Sequence, residues 1–191
     1  MVSLLGEKAI SQSIVPAARN IKDFEYLIKS KTDIIILLDC HITQVQSLLQ
    51  LARTSKKNVI LHADLIQGLK HDEYGAQFLC QVGRPYGLIS THSSVVAVAK
   101  KRGLLAVQRV FLLDSHSLEN TYRMLKTVQP DYIEVLPGII PTVISQVCQT
   151  TKLPVLAGGF IRTMEDVEQI LKSGASAITT SHKDLWKSAG I

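Results

Sequence analysis

A chain of 191 residues has the length of one domain and can bury a sizeable core. At 46% hydrophobic and 19% charged, with a mean hydropathy of +0.18, it is not a disordered tail. A formal net charge of +5 permits a polyanionic partner without demanding one, and no unbroken apolar run exceeds five residues, as at Ile34–Leu38, so no transmembrane helix is expected.

Residues 1–13 read as a leading segment outside the folded repeat, and Glu7 and Lys8, with no apolar run, argue against a secretory signal. A first short β-branched or aliphatic run, Ile14–Ala17, ends near Arg19. The second, Ile34–Leu38, ends at Asp39 and is followed by Val45, Leu48, Leu49 and Ala52 at helical spacing. The third, Val59–His62, leads to Asp64 and then to Gly68–Tyr74, the longest connection from a predicted strand to a helix. The fourth, Gly87–Ser90, is followed by Thr91 and His92 and by a helical stretch, Val95–Arg102, that Gly103 stops. The fifth, Leu104–Gln108, ends at Arg109. The sixth, Tyr132–Leu136, carries Glu134 and runs into Pro137-Gly138. The seventh, Val155–Ala157, opens into Gly158-Gly159. The helix after it starts at Thr163 with Glu165 and Asp166 in its first turn, presents Val167, Ile170 and Leu171, and stops at Gly174. The eighth, Ala177–Thr180, ends in Ser181 and His182.

Strands apolar on both faces and alternating with helices imply a parallel sheet covered by helices. The repeat averages about 23 residues, near the minimum for a strand, a short helix and two tight loops. The favoured fold is therefore a compact (β/α)8 TIM-type barrel filling a single domain, with an open doubly wound parallel sheet as the alternative. In either fold ligands sit at the carboxyl ends of the strands. Those ends collect Arg19, Asp64, Arg109 and Glu134, beside hydroxyls and Gly138, a set suited to a small anionic, hydroxylated ligand. The turns at Gly158-Gly159 and Thr180-Ser181 fit a phosphate: glycines admit an anion to backbone N–H groups, and a helix N-terminus adds partial positive charge.

Competing chemistries are less well supplied. Six histidines show no HxH or HExxH spacing, so no metal is expected. No predicted strand ends in a lysine placed for a Schiff base, and Lys183 is expected in solvent. Asp64 and Glu134 could serve as an acid/base pair or as acceptors for ligand hydroxyls, and spacing leaves both open. Cys40, Cys80 and Cys148 form no CxxC pair, fit a reducing compartment and are expected as small buried groups. Basic runs at Arg53, Lys56 and Lys57 and at Lys100-Lys101-Arg102 are ordinary in the last turn of a helix.

The strand-end motifs taken together add a resemblance. His62-Ala63-Asp64-Leu65-Ile66-Gln67-Gly68, Gln108–Asp114 (QRVFLLD), Asp131–Gly138 (DYIEVLPG), Ala157–Ile161 (AGGFI) and Thr179-Thr180-Ser181 ahead of Leu185-Trp186 resemble the glycerol uptake operon antiterminators, a family of glycerol-3-phosphate-responsive regulators. The match runs from about Pro16 to Trp186, and the stretches Asp64–Tyr74 (DLIQGLKHDEY) and Asp131–Gly138 are long enough to be specific. His182 and Lys183 fall outside the pattern.

The resemblance implies a cytoplasmic, non-enzymatic regulator that takes glycerol 3-phosphate as its effector, needs no cofactor, and acts on the leader mRNA of glycerol-catabolism genes to prevent termination. The phosphate would lie on Gly158, Gly159, Thr180 and Ser181, with Arg19, Asp64, Arg109, Glu134 and Gly138 toward the rest of the ligand. His71, Asp72 and Glu73 would form a loop that orders over it. The RNA surface is unassigned. An enzyme acting on a small phosphorylated polyol or sugar, and a regulator that contacts the transcription machinery, are the alternatives.

Overall fold

The computed structural model describes residues 9–191 and contains a closed parallel barrel. The strands of the described residues are β1 (Ile14–Ala18), β2 (Ile34–Leu37), β3 (Cys40–His41), β4 (Asn58–His62), β5 (Ile66–Gln67), β6 (Gly87–Ser90), β7 (Leu105–Phe111), β8 (Tyr132–Leu136), β9 (Val155–Gly158) and β10 (Ala177–Thr180). The eight α-helices are α1 (Ile21–Lys29), α2 (Val45–Thr54), α3 (Glu73–Val82), α4 (Ser93–Lys101), α5 (Ser115–Val128), α6 (Pro141–Thr151), α7 (Met164–Lys172) and α8 (Lys183–Ser188). Eight strands close the barrel in the order β1-β10-β9-β8-β7-β6-β4-β2. Because β1 pairs in parallel with both β10 and β2, no edge is left, and the open doubly wound alternative is excluded.

The helices form where the pattern requires them. In α2 the buried positions are Val45, Leu48, Leu49 and Ala52. In α7, Thr163 accepts from the Asp166 backbone and Asp166 reaches back, a capping box, and Gly174 follows the helix at φ +108°. Gly103 after α4 sits at φ +70°, where glycine is relaxed.

Strand alternation sorts the core into layers. Val15, Ile36, Ile60, Ile89, Val107 and Leu156 pack together inside the barrel, while two larger clusters fill the space between barrel and helices. Ile10 plugs the N-terminal end of the interior, its N–H donating to Tyr132 Oη at 3.0 Å. The leading segment expected over residues 1–13 thus includes a residue packed into the core, while residues 1–8 lie outside the described residues.

Two features depart from the strand-by-strand expectation. The fifth barrel strand continues to Phe111 and does not stop at Gln108, because Arg109-Val110-Phe111 pair in register with Glu134-Val135-Leu136. Beside the barrel, β3 and β5 make a two-stranded parallel ribbon that ties the loops after β2 and β4, helped by Gln67 Nε2 donating to Asp39 Oδ1 at 3.0 Å.

Candidate functional site

The alternation that buries Val107, Tyr132, Leu156 and Ala177 inside the barrel turns Arg109, Glu134, Gly158 and Thr179 inward two residues later, one layer nearer the carboxyl ends of the strands. The interior therefore changes from apolar to polar within a single layer. Glu134 is 1% exposed and both of its oxygens are engaged: Arg109 Nε donates to Oε2 at 2.6 Å, and Thr179 Oγ1 donates to Oε1 at 2.7 Å. A buried ion pair is tolerable only when its partners are held in this way. Gly158 leaves the room for it, since a Cβ there would lie 2.5 Å from Thr179 Oγ1 and 3.5 Å from Glu134 Oε1.

Above this floor opens a cavity of about 770 Å³. One wall is the Gly158-Gly159-Phe160 turn, another is Thr180, Ser181 and His182, and Arg19, Asp39 and Arg162 stand around the rim. Gly159 and Phe160 are both left-handed, at φ +83° and +62°, which swings the chain sharply off β9 and leaves the Phe160 ring 71% exposed beside the opening. The amides just ahead of α7 are already taken up, while α8 begins at His182 with no side-chain cap. Asp166 accepts from the N–H groups of Arg162 and Thr163, each at 2.9 Å, and Thr180 Oγ1 accepts from the His182 N–H at 3.0 Å. Formal positive charge for an anion at this cavity resides on the guanidinium groups that line it.

Of the residues singled out in the sequence, Arg19, Arg109, Glu134, Gly158, Gly159, Thr180 and Ser181 all line this cavity. Asp64 and Gly138 do not. Asp64 accepts from the Ser90 hydroxyl and from the Thr91 N–H and hydroxyl, at 2.7 and 2.8 Å, tying the β4 loop to the end of β6. Burial raises its pKa, but these hydrogen bonds outweigh burial and hold it below the usual carboxylate value. The Gly138 N–H donates to the Gly158 carbonyl at 2.5 Å, and a Cβ would strike the Gly158 nitrogen, so Gly138 seats the β8 loop against the glycine turn from behind.

His71, Asp72 and Glu73 are also off the cavity lining. Asp72 is the N-cap of α3, accepting from the Gly75 N–H at 2.8 Å, and Glu73 opens that helix. The His71 ring lies 5.6 Å from that of His92, which in turn approaches Asp64 at 3.5 Å. His182 lines the cavity and precedes α8. Lys183 is exposed to solvent, as expected, and its ammonium group also pairs at 2.5 Å with the buried Asp23 at the start of α1.

Two further residues of this region take on a role only in the fold. Arg162 escaped the sequence reading: it follows the glycine turn by three residues and reads as an ordinary loop cation until the turn folds it toward the opening. His62, at the end of β4, is 2% exposed, and neither of its ring nitrogens has a partner among the described residues. Burial, with the nearby Arg109 charge, pushes its pKa down to about 4, so it is a neutral imidazole under ordinary conditions. Among the described residues no cluster of three or more His, Cys, Asp or Glu is placed to hold a metal ion, and no helix is long and apolar enough to cross a membrane.

Comparison with known proteins adds to this geometry. The family model described as glycerol-3-phosphate responsive antiterminator matches residues 14–186. A crystal structure of a glycerol uptake operon antiterminator regulatory protein from Listeria monocytogenes is 43% identical, with a TM-score of 0.90 over 93% of this chain and 96% of that one. A glycerol uptake operon antiterminator-related protein from Thermotoga maritima is 31% identical, with a TM-score of 0.82 over 93% and 99%. The uncharacterised protein YgcP of Escherichia coli is 28% identical over 91% of each chain.

Proposed function

Because this chain belongs to the glycerol-3-phosphate-responsive antiterminator family, we propose that the cavity at the mouth of its barrel binds glycerol 3-phosphate and that the bound form acts on the leader mRNA of glycerol-catabolism genes to prevent termination. The observation that carries this reading is the convergence of Arg19 and Arg162 with the Gly158-Gly159 turn and the Thr180-Ser181 hydroxyls in one cavity above the Arg109–Glu134 pair. Guanidinium groups and exposed backbone at a glycine turn suit a phosphate, while Glu134 and Thr179 on the floor suit a polyol. A cytoplasmic location follows from action on a nascent transcript.

The carboxylates favour a regulator over an enzyme. A general acid or base needs a side chain free to exchange a proton with its substrate. Both oxygens of Glu134 are held by Arg109 and Thr179, and both oxygens of Asp64 by Ser90 and Thr91. These pairs are scaffold. For regulation, glycerol 3-phosphate has to bind the RNA-competent conformation more tightly than the other one, and a differential of about 1–3 kcal/mol suffices.

The test pairs two measurements on the purified protein: calorimetric titration with glycerol 3-phosphate, and a gel shift on a leader-hairpin RNA at fixed salt with and without that ligand. Saturable binding together with a ligand-dependent shift is the expected result. Ligand turnover would overturn the regulator reading, and ligand binding with no shift in either lane would move antitermination to a contact with the transcription machinery.

A further inference from the structure

The end of the barrel opposite the cavity carries exposed cations that no side-chain partner holds among the described residues. At the C-terminal ends of α2, α3 and α4, Lys56, Arg84, Lys101 and Arg102 are exposed, and none of their side chains has a hydrogen bond or ion pair among the described residues. Their neighbours differ. Arg53 donates to the Gly83 carbonyl at 2.6 Å, Lys57 donates to the Ser30 and Thr32 carbonyls at 2.7 Å, and Lys100 pairs with Asp131. Two hollows, of about 240 and 490 Å³, adjoin at Arg84 and Pro85; Arg53 and Lys57 line the first and Arg102 the second. No Asp or Glu lines either one.

We propose that this carboxylate-free groove at the base of α2, α3 and α4 is where the phosphodiester backbone of the leader RNA docks. The inference rests on the reading of this protein as an RNA-directed antiterminator and adds the surface that reading lacks. Attraction to the helix dipole explains a cation in a last helical turn, but it fades beyond that turn and does not explain Arg84, which lies past the end of α3. Lys56 and Arg84 adopt left-handed conformations at φ +56° and +43°, as does Lys152 after α6 at φ +57°, so the backbone alone does not mark this groove. What marks it is that Arg84 stands with Arg53, Lys57 and Arg102 around hollows lined by no carboxylate, an arrangement favoured once a polyanion lies there.

The groove is also joined to the mouth. Helices α3 and α4 begin beside the His71–His92 ring contact and end at Arg84 and Arg102, so a ligand that moves the Gly68–Asp72 connection moves one end of a rod whose other end bears Arg84. A helix of this length spans about 15 Å.

The experiment compares three proteins on one leader-hairpin RNA with saturating glycerol 3-phosphate across a salt series: the wild type, Arg84→Gln/Arg102→Gln, and Lys152→Gln/Lys172→Gln, which removes equal charge from the far side of the base. Lys101→Gln/Arg102→Gln repeats the test without touching the left-handed position. Groove variants are expected to bind RNA at least tenfold more weakly, with the log–log salt slope shallower by about 1.4, the value for two fewer phosphates neutralised on a single strand. Their calorimetric affinity for glycerol 3-phosphate should be unchanged, and the far-side variant should follow the wild type in both assays. Groove variants that retain wild-type affinity and slope, or lose no more than the far-side variant, overturn the groove while leaving the RNA reading intact. A wild type that fails to bind the RNA overturns both.

Discussion

Acid titration of stability isolates His62. In the unfolded chain its imidazole takes up a proton near pH 6.5; in the folded barrel, buried against Arg109, it does so only near pH 4. Between those values the unfolded state binds a proton that the native state does not, so the unfolding free energy falls as the pH is lowered. The contribution is complete above pH 6.5 and exhausted below pH 4, and the 2.5-unit difference corresponds to about 3 kcal/mol, of which about 2.5 kcal/mol is lost by pH 4.5. Asp64 acts in a separate window. Its carboxyl is held below the ordinary value of 3.8, so its contribution is present above that value and disappears only at still lower pH. Urea denaturation of the wild type and of His62→Gln from pH 7 to pH 4.5 reads the effect directly. The wild type should lose about 2.5 kcal/mol more than the variant over that range, with equal m-values. Parallel pH profiles would refute the placement of a neutral imidazole in this layer.

The polar layer and the rim give the remaining predictions. Gly158→Ala should destabilise by about 1–3 kcal/mol, because its Cβ meets Thr179 Oγ1 at 2.5 Å, and Thr179→Ala in the same chain should recover part of that loss; simple additivity in denaturant melts would contradict the contact. Glu134→Ala strands the Arg109 guanidinium, only 13% exposed, without its partner, and should cost about 3–5 kcal/mol, lowering Tm by about 10 °C or more, with Glu134→Gln milder; a loss below about 1 kcal/mol would show the pair to be energetically idle. Arg162→Gln should weaken glycerol 3-phosphate about tenfold by calorimetry with little change in Tm, whereas an unchanged affinity would remove the rim from the ligand site.

The barrel was legible because its signals are local and repeated. Each strand is a short apolar run and each helix carries its own stop, so α2 and α7 follow from spacing and caps alone. What was missed depends on partners distant in sequence. A strand of two residues such as β3 has no pattern of its own and exists because β5, 26 residues further on, pairs with it. The extension of β7 to Phe111 likewise needs β8: Arg109 reads as a strand end until Glu134 neutralises it from the adjacent strand.

The same dependence divides the carboxylates of the candidate site. Asp64 and Glu134 look equivalent as acids near strand ends, yet Asp64 is consumed by Ser90 and Thr91 on the next strand, whereas Glu134 faces the interior between Arg109 and Thr179. This arrangement fixes the polarity of the cavity. With Arg109 paired, the floor carries no net charge and offers hydrogen-bonding oxygens, while Arg19 and Arg162, whose guanidinium groups have no partner among the described residues, outnumber Asp39 at the rim beside the glycine turn. On the proposed function, a ligand with one charged and one hydroxylated end is expected to bind with its phosphate toward the rim and its polyol toward Glu134 and Thr179. Reversing it would set a dianion against a buried carboxylate, at a cost far above that of an exposed contact. Discrimination between phosphorylated ligands of different length thus belongs to the distance between rim and floor, and is expected to respond to Glu134 and Thr179, while bare affinity for phosphate responds to Arg19 and Arg162.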